Sequence, residues 1–221
     1  MADLLYKWPV SAKFGSRVSK EKFYEHSNVS KVVREKFVSD VQRITWAFKL
    51  AESTINLPGN TSVPEIQVFN IDAKVGDVAD QVLSAIDRAI QYPVIFEITR
   101  ETAGKSQVRM VAAHKQLSSG APKLSAYYST GWLPAEAERL PLPTSIGLPT
   151  LYAAILEPLT PVRMRPGEQM SEVADRLATV QKLEREILAV EHRLRIEQQL
   201  NRKIELRRAL KTKQQELEQQ R

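Results

Sequence analysis

The chain has 221 residues, 43% hydrophobic and 26% charged, enough to bury the core of one domain with an appendage. It holds no cysteine, which excludes disulfides, zinc–thiolate sites, iron–sulfur clusters and cysteine nucleophiles. The net charge of +6 is unevenly placed: residues 1–175 carry 20 basic and 19 acidic side chains, and residues 176–221 carry 12 and 7.

Residues 1–27 mix charged side chains with Tyr6, Trp8, Phe14, Phe23 and Tyr24 and show no clean period. They predict an irregular segment packed on the domain through its aromatics. No apolar run there has signal-peptide length, and none anywhere spans a membrane, so a cytoplasmic chain without membrane contact is expected. Asn28 or Ser30 can cap a first helix by accepting a hydrogen bond from a free N–H of its first turn. Val33, Phe37, Val41, Ile44 and Phe48 follow at helical spacing and predict one buried face, with Trp46 beside it. Leu57-Pro58-Gly59-Asn60 is a turn.

Glu65 to Asp72 reads as a central strand, apolar on both sides. Asp77 can cap a second helix with Val78, Val82, Ile86 and Ala89 as its stripe. Pro93 ends that helix and starts the strand Val94 to Thr99. Glu101 to Lys105 forms a hairpin loop, 107–114 a third strand and Leu124 to Ser129 a fourth, after a turn at Ser118-Ser119-Gly120. The order predicts an α+β fold with a mostly antiparallel sheet of about four strands and packed helices, over residues 1–133. Residues 134–167 hold seven of the twelve prolines between Pro134 and Pro166. They predict an extended strap, anchored by Trp132 and held down by Ile146, Leu148, Leu151, Tyr152 and Ile155, with a short helix at Leu151 to Leu156.

Residues 168–221 form a coiled-coil-like tail without Gly or Pro beyond Gly167. Leu183, Ile187, Val190 and Leu194 make a packing seam that is lost after Leu200, where Leu206, Leu210 and Leu217 take over. The tail is either one long helix with a phase shift or a helical hairpin reversing near Leu200-Asn201-Arg202. The absence of Gly and Pro favours the continuous helix.

Catalytic signatures are missing. There is no Gly-rich phosphate loop, nucleophile elbow or paired-histidine motif, and His26, His114 and His192 share no ligand spacing, so neither metal nor cofactor is expected. With the hairpin centred on Ala103, Glu97 lies opposite Arg109, and Tyr127 and Ser129 can share their face. An ordinary cross-strand ion pair explains this. The enzymatic alternative is a metal-dependent nuclease or nucleotide-processing site built on Glu97 and Arg109, with Asp87, Glu35 or Asp40 as second carboxylate. The strongest binding signal is the run Arg202, Lys203, Arg207, Arg208, Lys211 and Lys213, opposed only by Glu205. Such a helix can track phosphates or an acidic protein, although charged coiled-coil faces are commonly just solvated.

Four blocks resemble, in order, the bacterial domain-of-unknown-function family 4391. They are Lys20-Glu21-Lys22-Phe23-Tyr24-Glu25-His26, Glu65-Ile66-Gln67-Val68-Phe69, Ile86-Asp87-Arg88-Ala89-Ile90 with Pro93-Val94-Ile95-Phe96-Glu97, and Leu200-Asn201-Arg202-Lys203-Ile204-Glu205-Leu206. The resemblance implies loci of the restriction or phage-defence type that also encode a DNA methyltransferase and a helicase. It implies no catalytic residues. The expected role is a non-catalytic accessory subunit that docks such a partner and contacts DNA through its tail; a structural homo-oligomer zipped by the tail is the further alternative.

Overall fold

The computed structural model describes residues 3–26, 29–117, 122–161, 164–165 and 168–220. Asn28, the turn at Ser118-Ser119-Gly120 and Pro166 lie outside them. The chain divides into two compact units, residues 1–163 and 164–221.

The first unit opens with a 3-10 turn, Val10–Ala12, strand β1, Lys13–Val18, and helix α1, Lys20–His26. The expectation of an irregular N-terminal segment therefore fails, although Tyr6, Trp8 and Phe23 are buried as expected. Helix α2, Lys31–Asp40, is capped by Ser30, whose Oγ accepts from Val33 N at 3.4 Å. It stops where lysines take its last carbonyls: Lys20 Nζ donates to Phe37 O at 2.8 Å and Val41 O at 2.5 Å, and Lys74 Nζ to Val38 O at 2.7 Å.

From Val41 the predicted helix is instead strand β2, Val41–Leu50. Its buried positions are Val41, Ile44, Ala47 and Leu50, one in three, which imitates a helix. Two register shifts against the next strand, β3 (Ile66–Ala73), produce that spacing, one between Val41 and Arg43 and one between Trp46 and Phe48. Each bulge adds a residue and resets the alternation of faces. Trp46 accordingly belongs to the sheet, its ring stacked 6.1 Å from Phe69.

A four-residue helix α3, Glu52–Ile55, follows β2 and precedes β3. Helix α4, Asp80–Ala89, then crosses to strand β4, Val94–Thr102, which pairs parallel to β3. The α4 N-cap is Ala79, not Asp77. Strands β5, Lys105–Gln116, β6, Lys123–Ser129, and the two-residue β7, Leu133–Pro134, complete a seven-stranded sheet of order β1-β2-β3-β4-β5-β6, with β7 on β5. All pairs except β3–β4 are antiparallel. The expectation of about four strands missed β1, β2 and the minimal β7.

The β4–β5 loop is the pair Ala103-Gly104, both at positive φ, 50° and 74°. Two such residues are what a tight primed turn demands. Thr102 thus faces Lys105, and the register sets Glu97 opposite Met110 and Ile98 opposite Arg109. The predicted Glu97–Arg109 pairing is corrected by that one-residue slip, which puts the two side chains on opposite faces.

One face of the sheet packs a core of Phe37, Ile44, Phe69, Ile71, Val82, Ile86, Phe96 and Val111 under α2 and α4. The N-terminal segment and the strap cover the other. Leu140 N donates to Leu5 O, Lys7 N donates to Leu140 O, and Trp8 packs on Phe48 at 6.2 Å. The strap carries helix α5, Leu148–Leu156, with Leu148, Leu151, Tyr152 and Ile155 buried. Ile146, expected to help hold it, is 87% exposed.

The second unit is two helices, α6, Met170–Ile196, and α7, Leu200–Gln220, lying back to back. The favoured continuous helix is overturned. Glu197 turns extended at ψ 137°, and its Oε1 accepts from Gln198 N at 2.9 Å and Gln199 N at 3.0 Å. A side-chain acceptor for free N–H groups starts a new helix without glycine or proline. Val180, Leu183 and Ile187 then meet Leu217, with Leu210 beside them.

The open end of the hairpin is tied by Arg176, which forks onto Glu168 with two contacts of 2.8 Å and donates to Gln220 O at 2.9 Å. Hydrogen bonds from Arg176 hold the Glu168 carboxyl below its ordinary 4.5, and those from Lys213 do the same for Glu186. A depressed carboxyl stabilises the fold above its unfolded value and stops doing so as pH falls through the folded one. The hairpin should therefore lose amide protection below about pH 4.5. Hydrogen exchange at pH 6 and pH 3.5 would show it, and Glu168→Gln should shrink the difference; equal protection factors at the two pH values would overturn this.

Candidate functional site

The three polar residues proposed as weak catalytic candidates go to three separate places. Asp87, on α4, is fully buried against Lys115 of β5. Lys115 Nζ lies 2.5 Å from Asp87 Oδ1 and donates to the carbonyls of Asp87, Ile90 and Tyr92 at 2.6, 2.8 and 2.8 Å. Tyr127 donates to Asp87 Oδ2 at 3.0 Å. Burial drives the Asp87 carboxyl up and the Lys115 ammonium down, while each partner pulls the other back towards charge. The same burial, with the Asp87 charge, drives the Tyr127 hydroxyl well up. With no exposed surface on either charge, this pair ties the end of α4 to the sheet.

Glu97 sits on the other face, 4% exposed. Arg139 of the strap forks onto it, NH1 to Oε1 at 2.7 Å and NH2 to Oε2 at 3.1 Å, and Trp8 Nε1 donates to Oε1 at 2.7 Å. Arg139 NH1 also donates to Tyr6 O at 2.9 Å. Both carboxylate oxygens are thus committed to a clamp that joins N-terminal segment, strand and strap.

Arg109 pairs with Asp77 at 2.7 Å and lies 5.2 Å from the Trp132 ring, whose face also takes Arg100 at 3.8 Å. Glu35 and Asp40 belong to α2 and join none of these groups. Among the described residues no group of three or more His, Asp or Glu is placed to hold a metal ion. Sequence reasoning missed Lys115, Trp8 and Arg139. A lysine in an otherwise apolar strand run, Val111-Ala112-Ala113-His114-Lys115, was the one available signal.

The cations of the tail have a different setting. On α7, Arg202, Arg207, Arg208 and Lys211 are exposed and make no ion pair among the described residues. Lys203 is half-buried. Lys213 is not free, because it pairs with Glu186 across the hairpin. At 100° per residue, Leu200, Ile204, Arg207, Arg208 and Lys211 fall within one arc of about 100°, centred roughly 125° from the line of Leu206, Leu210 and Leu217. Leu200 is 70% and Ile204 41% exposed. The outward face of α7 therefore carries an aliphatic pair in its first turns and three cations in the turns that follow. At the turn, Ile196 and Arg193 of α6 join Arg202 and Leu206 around a cavity of about 390 Å3.

A family profile, described as a domain of unknown function (DUF4391), matches residues 7–217. No curated protein and no solved structure matches the chain.

Proposed function

The chain belongs to the family of domains of unknown function DUF4391, and on that premise we propose that it is a non-catalytic accessory subunit of a restriction-modification or anti-phage assembly. Its helical hairpin docks a helicase or DNA methyltransferase subunit. The observation that carries this reading is the outward face of α7, where exposed Leu200 and Ile204 are followed by Arg207, Arg208 and Lys211. Phosphates alone need only the cations. Aliphatic side chains held in water beside them fit a protein surface with apolar positions next to acids.

Two variants of the full chain separate protein docking from DNA contact. Leu200→Ser with Ile204→Ser should abolish co-purification with the helicase or methyltransferase of the same locus and leave gel-shift binding of DNA unchanged. Arg207→Glu, Arg208→Glu and Lys211→Glu together should weaken protein capture and flatten the salt dependence of any DNA binding. Undiminished capture of the named subunits by both variants would refute the reading. A dimer in light scattering that the serine variant dissociates would reassign the aliphatic pair to a second copy of the chain.

A further inference from the structure

The carboxyl ends of β3 and β4 open onto a cleft of about 510 Å3 lined by Arg17, Gln42, Arg43, Asp72, Thr99 and Arg100. These two strands are the parallel pair of the sheet, joined by the α4 crossover. The bulge between Val41 and Arg43 falls at the same end, and it brings both Gln42 and Arg43 to the cleft wall. A second cavity of about 470 Å3 shares Arg17, Gln42 and Arg43, so the lining continues towards Ser19.

The wall is built for a polar, anionic guest. Arg43 is held by Asp72, with Nε and NH2 each 2.7 Å from Oδ2. Asp72 thus orients the largely exposed Arg43 guanidinium at the cleft. Arg100 follows Thr99 in β4, so its side chain leaves by the opposite face, where the Trp132 ring and Gln107 Oε1 at 3.0 Å hold it. The side chains of Arg17, Gln42, Thr99 and Glu101 make no hydrogen bond or ion pair among the described residues. The Arg17 and Arg43 forks match phosphoryl oxygens. Glu101 and Asp72, however, would repel a bare anion and would accept from hydroxyl groups. The lining side chains other than Ala73 are polar or charged, which favours a polar guest over a lipid.

We propose that this cleft binds a nucleotide-class small molecule, with phosphoryl oxygens on the Arg17 and Arg43 guanidiniums and sugar hydroxyls at Asp72 and Glu101. The size fits, since small-ligand sites enclose about 300–1,000 Å3. All of its lining residues belong to the first unit.

Calorimetric titration of the full chain with AMP, ribose 5-phosphate and adenosine tests it. The two phosphates should bind saturably and adenosine should not. Arg17→Ala should weaken AMP about tenfold or more, the scale of one charge-assisted contact. Arg17 is exposed on an edge strand and unpaired among the described residues, so this change leaves the fold intact. Thr99→Val is the second cleft variant and Arg207→Ala the control, which should bind AMP like wild type. The proposal is overturned if neither phosphate binds at millimolar concentration, if Arg17→Ala and Thr99→Val both bind AMP as wild type does, or if the loss follows Arg207 instead.

Discussion

Replacing Lys115 with methionine should cost about 3–5 kcal/mol of unfolding free energy, the scale for removing one member of a buried ion pair. Methionine nearly matches lysine in length and adds no cavity, so the loss isolates what the ammonium does. It leaves the Asp87 carboxylate, 0% exposed, with Tyr127 as remaining donor, and strips the Ile90 and Tyr92 carbonyls of theirs. Asp87→Leu combined with Lys115→Met should cost less than the two single changes added, because the uncompensated charge is then gone. Urea unfolding followed by tryptophan fluorescence reads this cleanly, since Trp8, Trp46 and Trp132 all lie in the first unit. A Lys115→Met protein within about 1 kcal/mol of wild type would mean the pair contributes no more than an exposed one.

Breaking the Glu97 clamp should be the second largest effect, and its two halves should differ. Glu97→Gln keeps the shape and an acceptor for Trp8 but removes the charge under Arg139, whose side chain is 29% exposed and regains some water. About 2–3 kcal/mol is expected. Arg139→Leu is the harsher change, near 3–5 kcal/mol, because the buried member keeps its charge and loses its partner. Both should expose the segment before Val10 to protease while leaving the β4–β5 hairpin protected from hydrogen exchange. Glu97→Gln with unchanged stability and a lost nuclease activity would instead give that carboxylate a catalytic role.

Strands β3 to β6 and α4 are legible in the sequence because their periods are clean and Pro93, Gly104 and the glycine near residue 120 punctuate them. Strand β2 is not, since its bulges put Val41, Ile44, Ala47 and Leu50 at a spacing that continues α2 without a break. The hairpin slip has a similarly local cause: Ala103 adopts positive φ, which nothing in its side chain announces. The reversal at Glu197 uses a carboxylate where a turn residue was sought. Arg139 could not be matched to Glu97 because a partner from a proline-rich strap carries no periodic signal. The basic run on α7 was legible residue by residue, yet its outward face, with Leu200 and Ile204 ahead of the cations, emerges only once the seam of the hairpin is fixed.

The clamp around Glu97 also fixes when the protein can finish folding during synthesis. Trp8 and its acceptor are 89 residues apart, and Tyr6 and Arg139 are 133 apart. At about 5–20 residues per second, Trp8 waits roughly 5–20 seconds for Glu97 and longer for Arg139. Once β4 is made and until the strap follows, the β3 and β4 face carrying Val68 and Ile95 lacks part of its cover, so the growing chain presents an aliphatic surface to chaperones at the ribosome exit.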